Sequence, residues 1–183
     1  MGFWSSRGLR GDAFEELINL ANEKYRAAGI ALVQKIPTPI KPVELDSERG
    51  NIKKAYFEKR STVDYIGVVQ GIPICFDAKN IQKEVLPLSN IHSHQLDFME
   101  DFERQEGISF FLVRFEMADE IYLLPYAYVR KVVAESQNGG RKSIPLEKIR
   151  ENGFAVEIKQ GYFVHYLEAF NQYLGERAKI KGL

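Results

Sequence analysis

The chain is poor in the residues that most often build metal clusters and covalent cross-links. It has one cysteine and three histidines in 183 residues. A lone Cys75 excludes an internal disulfide and fits a reducing compartment. One cysteine and three histidines do not supply a four-ligand zinc site of the usual spacing. No apolar run approaches the ~18 residues of a membrane span, and Met1 to Arg7 lacks the apolar stretch of a secretory signal. No glycine-rich phosphate loop of the nucleotide-binding types is present. There is also no excess charge of either sign: 25 basic residues stand against 25 acidic ones. That balance argues against a generic polyanion binder.

What is present is unevenly spread. Arg7 and Arg10 stand in a decade without an acid. A second basic stretch holds Lys35, Lys41, Arg49, Lys53, Lys54, Lys59 and Arg60, and a third holds Arg130, Lys131, Arg141, Lys142, Lys148 and Arg150. The acids gather between Asp97 and Glu103. Local basic surfaces for phosphate are therefore compatible with a neutral total.

Phe14, Leu17, Ile18 and Ala21 recur at helical spacing and predict a helix from Asp12 to Ala28, capped by Asp12 and stopped by Gly29. A strand over Ile30–Val33 follows. Pro37, Pro39 and Pro42 then open a long polar segment, read as a stiff functional projection or as a disordered loop. Val63–Val69 and Ile72–Lys79 read as a hairpin turning at Gln70-Gly71, with Pro73 marking a place where one side of its arm is unpaired. Later elements are helices over Ser89–Gln105, Tyr126–Glu135 and Gly161–Leu174, and strands over Ile108–Phe115 and Glu120–Leu124. This order predicts an α/β fold, a mixed sheet flanked by helices, in one domain spanning residues 1–183.

The hairpin carries the chemistry. A two-residue turn pairs Val69 with Ile72, which puts Asp64 opposite Asp77. Facing carboxylates repel; a divalent cation between them reverses the sign, and hard oxygen ligands suit Mg²⁺ or Mn²⁺. Side chains alternate along a strand, so Lys79 shares the face of Asp77 while Ala78 points to the core. Lys79 is then placed to orient water or to stabilise charge on a reacting phosphate. Glu15 of the first helix, with Glu16 as its rival, and Gln95 of the next helix are further candidates; each also reads as an ordinary helix-surface residue. His92 and His94, two apart on a helix, are expected to face different ways. His165 is expected in the core on a helical face, and Cys75 in a buried packing role.

Ser61-Thr62-Val63-Asp64-Tyr65-Ile66-Gly67 followed by Phe76-Asp77-Ala78-Lys79 resembles the core of the PD-(D/E)xK nucleases. More narrowly it resembles the RecU family of bacterial Holliday-junction resolvases. Lys35–Ile40, Lys54–Phe57, Pro87–Gln95 and Asn138–Ile144 match in order, so the likeness spans nearly the whole chain. The resemblance implies a restriction-endonuclease-like sheet with a stalk over about residues 36–60 that projects into a four-way junction. It implies a cytoplasmic, nucleoid-associated homodimer with no membrane partner, nicking two opposed strands with Mg²⁺, for which Mn²⁺ substitutes. The catalytic set carries over to Asp64, Asp77, Lys79 and Glu15. Metal contacts carry over to Asp64, Asp77, Glu15, the backbone carbonyl of Ala78 and, through water, Gln95. DNA contacts are expected from Lys53, Lys54, Phe57, Lys59, Arg60, Arg7, Arg141 and Lys142. Asp77 departs from the glutamate more common in the family, shortening that arm by one methylene. The basic N-terminal extension common in the family is nearly absent, which bears on junction affinity more than on cleavage. A related nuclease acting on other DNA structures or sites, and a non-catalytic junction-binding factor, are the alternative readings.

Overall fold

The computed structural model describes residues 8–37, 40–46, 51–57, 62–159 and 161–181. The first helix, α1 (Gly8–Ala27), buries Phe14, Ile18, Ala21 and Tyr25 along one face. It begins before the predicted start, at Gly8, so Asp12 lies inside the helix and not at its N-terminus; Leu9 and Arg10, ahead of it in the sequence, are of helix-favouring types. It ends as expected. Gly29 takes φ +68°, the Gly29 N–H donates to Arg26 O (3.0 Å) and the Ile30 N–H to Tyr25 O (3.0 Å). This is the left-handed stop that a residue without a Cβ makes easily.

Next come β1 (Ala31–Lys35), β2 (Ile40–Asp46) and β3 (Asn51–Phe57), then β4 (Tyr65–Val69) and β5 (Ile72–Ile81). β2 and β3 pair only with each other, in an antiparallel two-stranded sheet apart from the main one. The proline-rich stretch is thus ordered hairpin over its described part. Ile40, Val43, Ile52 and Tyr56 of this ribbon are exposed.

After β5 come β6 (Val85–Pro87), a single 3₁₀ turn (Leu88–Asn90), α2 (Ser93–Arg104), β7 (Ile108–Phe115) and β8 (Glu120–Pro125). The chain finishes with α3 (Tyr126–Gln137), β9 (Ser143–Pro145), α4 (Leu146–Asn152), β10 (Phe154–Ala155) and α5 (Tyr166–Lys181). The six-stranded sheet has the order β1-β4-β5-β7-β8-β10. Only the β5–β7 pair is parallel; the others are antiparallel. The mixed sheet with flanking helices is the predicted class. No described helix is long and apolar enough to cross a membrane.

Two cores form on the two faces of the sheet. One joins Phe14, Ile18 and Tyr25 of α1 and Tyr166 and Phe170 of α5 to Tyr65, Phe76 and Phe110. The other joins Met99 of α2, Val129 of α3 and Ile149 of α4 to Cys75, Phe111 and Val113. β5 is covered on both faces, as a strand with a parallel neighbour usually is. Cys75 sits in the second core beside Ser109 Oγ (3.2 Å), and burial pushes its thiol up to about 12, so it packs as a small apolar side chain.

Two helices begin later than expected. α2 begins at Ser93, not Ser89, because Pro87 and the 3₁₀ turn hold the preceding residues and His92 is extended (φ −92°, ψ 143°). α5 begins at Tyr166, so Tyr162 and His165 precede it. His165 is half-buried and not core: its ring stacks on Tyr162 at 4.6 Å, and its Nδ1 lies 2.9 Å from the Tyr25 hydroxyl. The small β6–β9 sheet, α4 and β10 have no counterpart in the sequence reading, being too short to show a period.

Gly67 is where β1 and β4 come closest. A Cβ there would lie 2.4 Å from Leu32 O and 2.6 Å from Val33 Cα, both backbone atoms of the paired strand. Backbone in a ladder has little room to shift. Gly67→Ala is expected to destabilise the fold by about 2–3 kcal/mol, as overpacking does. Urea denaturation checks this; an unchanged midpoint contradicts it.

Candidate active site

The β4–β5 hairpin sets the site. Gln70 and Gly71 take φ +45° and +88°, the two-residue turn whose twist suits antiparallel strands. Pairing runs without a bulge from Val69↔Ile72 to Tyr65↔Phe76. Pro73 pairs with Val68 on one side, and its other side lies before the β5–β7 ladder starts at Ile74. One step beyond Tyr65, Asp64 leaves the ladder. Its carbonyl accepts from the Ile36 N–H (2.7 Å) and its Oδ2 from the Ala78 N–H (2.9 Å). The carboxylate is thereby anchored across the hairpin, next to Asp77.

Asp77 is fully buried, a charge-bearing residue in the apolar run Ile74-Cys75-Phe76. Phe76 and Ala78 face α1, so Asp77 and Lys79 face α2. Burial, above all, pushes the Asp77 carboxyl up to about 7; Asp64 raises it further, while the Lys79 ammonium pulls the other way. Lys79 forms an ion pair with Asp77 Oδ2, with only 14% of its side chain exposed. Asp77 is thus a carboxyl whose charge the site demands and the protein alone supports poorly.

Gln95 completes this cluster from the first turn of α2. It is 7% exposed, not a surface residue. Its Nε2 donates to Asp77 Oδ1 (2.5 Å), and its Oε1 accepts from Lys79 Nζ (3.4 Å) and from the His92 N–H (3.2 Å). One amide therefore caps the helix and orients both charged residues. Gln95→Ala is expected to slow turnover by roughly 10–100-fold, the usual effect of losing a supporting hydrogen bond at a metal or charged centre. Single-turnover rates check this, and a rate within twofold of wild type contradicts it.

Glu15 stands apart. Its Oε2 pairs with Lys35 Nζ at 2.5 Å, and the Tyr65 hydroxyl reaches its carbonyl (3.2 Å) and Asn19 Oδ1 (3.1 Å). α1 packs on the face opposite Lys79. Glu16 is exposed. Among the described residues, no three His, Cys, Asp or Glu side chains are gathered to hold a metal ion.

The expected DNA contacts are only partly on view. Arg7, Lys59 and Arg60 lie outside the described residues, as does the side chain of Phe57. Lys53 and Lys54 are exposed on β3, with Lys53 Nζ 3.8 Å from Asp46 and Lys54 opposite Glu44. Arg141 and Lys142 are exposed on the turn before β9. The β6–β9 sheet, with Leu88 N–H donating to Lys142 O (3.0 Å), fastens that turn to the segment leading into α2. Two basic residues far away in sequence are thus brought to the approach to Gln95. The three-residue pairing that does this carries no sequence signal of its own.

His92 and His94 do not diverge. Their rings stack, with centroids 5.4 Å apart and planes 11° from parallel. The expectation assumed both on a helix; His92 is extended, and that swings its ring back over the first turn.

Known proteins share much of this sequence. A Holliday junction resolvase RecU from Lactococcus lactis subsp. cremoris is 43% identical over 169 residues, covering 90% of this chain and 78% of that protein. The Holliday junction resolvase RecU of Streptococcus sanguinis is 41% identical, covering 90% and 84%. A solved structure of Hjc, a Holliday junction resolvase from Archaeoglobus fulgidus, is similar over 62% of this chain and 77% of that one, at 9% identity and a TM-score of 0.39, too distant to carry an argument. The family described as recombination protein U (RecU) matches residues 9–172, and with relatives above 40% identity across nine-tenths of its length the chain belongs to that family.

Proposed function

We propose that this protein is a structure-selective endonuclease that resolves four-way DNA junctions by hydrolysing phosphodiesters at Asp64, Asp77 and Lys79. The observation that carries the reading is the buried Asp77, set beside Asp64, with its carboxyl pushed up to about 7 while Lys79 and Gln95 hold it in place. Such an arrangement is costly for a scaffold and useful for a reaction at phosphate. The names of the RecU relatives support the substrate.

The donor set fits a hard divalent cation, Mg²⁺ or Mn²⁺: two carboxylates meet there, and one of them ionises reluctantly without added positive charge. Asp64 and Asp77 would hold it, together with the Ala78 carbonyl and, through water, Gln95; Glu15, paired with Lys35 on the α1 side, stands outside this set. When bound, the cation supplies Lewis-acid activation of phosphate and water. Lys79 stabilises the negative charge that grows on the phosphoryl oxygens, and Gln95 holds Lys79 and Asp77 in register for it. The segment over residues 36–60 serves as the stalk within the single domain. Lys53, Lys54, Phe57, Lys59, Arg60, Arg7, Arg141 and Lys142 contact DNA. Two copies related by a two-fold axis match the approximate symmetry of a junction, in the cytoplasm beside the nucleoid.

Incubation of the protein with a synthetic four-way junction tests this. Strand cleavage is expected with Mg²⁺ or Mn²⁺ and none with chelator, and affinity should fall steeply as salt rises. Tight junction binding without cleavage in either metal contradicts the enzyme and favours a non-catalytic binding factor.

A further inference from the structure

The stacked histidines lie beside the reaction centre and the chemistry above leaves them unused. We propose that the imidazole of His92 is a stacking ledge for an unpaired nucleobase next to the scissile phosphate, and so a residue that favours branched over continuous DNA. The proposal rests on the nuclease reading of the neighbouring site.

Three observations carry it. First, His92 is exposed while His94 behind it is half-buried, and the two rings are nearly parallel at 5.4 Å. One face of His92 is braced; its plane is set before any ligand arrives, so little side-chain freedom is lost on docking. Second, the ledge is tied to the chemistry: the His92 N–H and Lys79 Nζ donate to the same Gln95 Oε1 at 3.2 and 3.4 Å. A base resting on His92 has its backbone phosphate near Lys79. Third, the turn carrying exposed Arg141 and Lys142 is fastened to the same segment through Leu88, which supplies cations for the flanking phosphates. A base inside a continuous duplex has both faces covered by neighbours. Only a strand whose stack is interrupted, as at a branch point, offers a free face to such a ledge.

The test uses the full chain and four-way junctions carrying a fluorescent adenine analogue at each branch-point position in turn, bound in chelator. Cleavage kinetics in Mg²⁺ follow on the unlabelled junction. Wild type should change the analogue's fluorescence at one pair of symmetry-related positions. His92→Phe, which keeps a flat ring, should preserve that change and the wild-type KM. His92→Ala and His92→Gln should lose it and raise KM roughly tenfold, with kcat within twofold and affinity for linear duplex unaltered. His92 is the N-cap of α2 and its side chain meets the Gln95 backbone, so His92→Ala is expected to melt a few degrees lower, and all kinetics are run well below the melting temperature of every variant. Full function in His92→Gln with loss in His92→Phe would replace the ledge by a hydrogen bond to phosphate. Wild-type behaviour of His92→Ala, or a fall in kcat at constant KM, overturns the proposal. Failure of wild type to cleave any DNA removes the nuclease reading instead, and the fluorescence measurement in chelator still decides the ledge.

Discussion

Asp77→Asn is expected to lower cleavage of a four-way junction by about 10³-fold or more while leaving affinity measured in chelator within about twofold. Asparagine keeps the size of the side chain and an oxygen for Lys79, so the pocket under α2 survives. What is lost is the second negative charge facing Asp64, and with it the hold on a divalent cation. Binding should persist because junction affinity comes from phosphate contacts spread over other basic residues. Single-turnover cleavage beside a gel-shift titration measures both. Cleavage within tenfold of wild type would remove Asp77 from the chemistry; loss of binding would make it a structural residue.

The same substitution should make the protein more stable above neutral pH. Asp77 has its carboxyl raised from 3.8 to about 7, first by burial and then by Asp64. A raised acid favours the folded state while it is protonated. That contribution is fully present below about pH 4 and is lost as pH rises through about 7. In chelator, wild type should therefore lose melting temperature between pH 5 and pH 8 relative to Asp77→Asn, whose side chain stays neutral throughout. At pH 8 the variant should melt roughly 5 °C higher, allowing for the weaker partner it offers Lys79. Mg²⁺ at pH 8 should narrow the gap by raising wild type alone. Equal melting temperatures at both pH values would contradict the electrostatic account. A catalytic acid that costs stability until its cation arrives is the trade-off expected of a functional site.

How far the sequence disclosed this site depended on the range of the interactions involved. The hairpin was legible because a Gln-Gly turn and two alternating strands set a register within a few residues, and Asp64 and Asp77 follow from counting. Gln95 was legible only as a candidate, since its burial depends on how α2 lies across β5. The helix start at Ser93 decided the histidine pair: a shift of a few residues turns diverging rings into a stack. The position of Arg141 and Lys142 depended on β6 and β9, three residues each, which recognise one another only in the folded chain.

Labelling each strand of a four-way junction in turn and mapping the products in Mg²⁺ on denaturing gels, beside a linear duplex of the same sequence, decides whether this site cuts branched DNA. Nicks are expected at symmetry-related positions in two opposed strands, with none in chelator and an intact duplex. Cleavage of the duplex as fast as the junction, or no nick in any junction strand, would contradict that expectation.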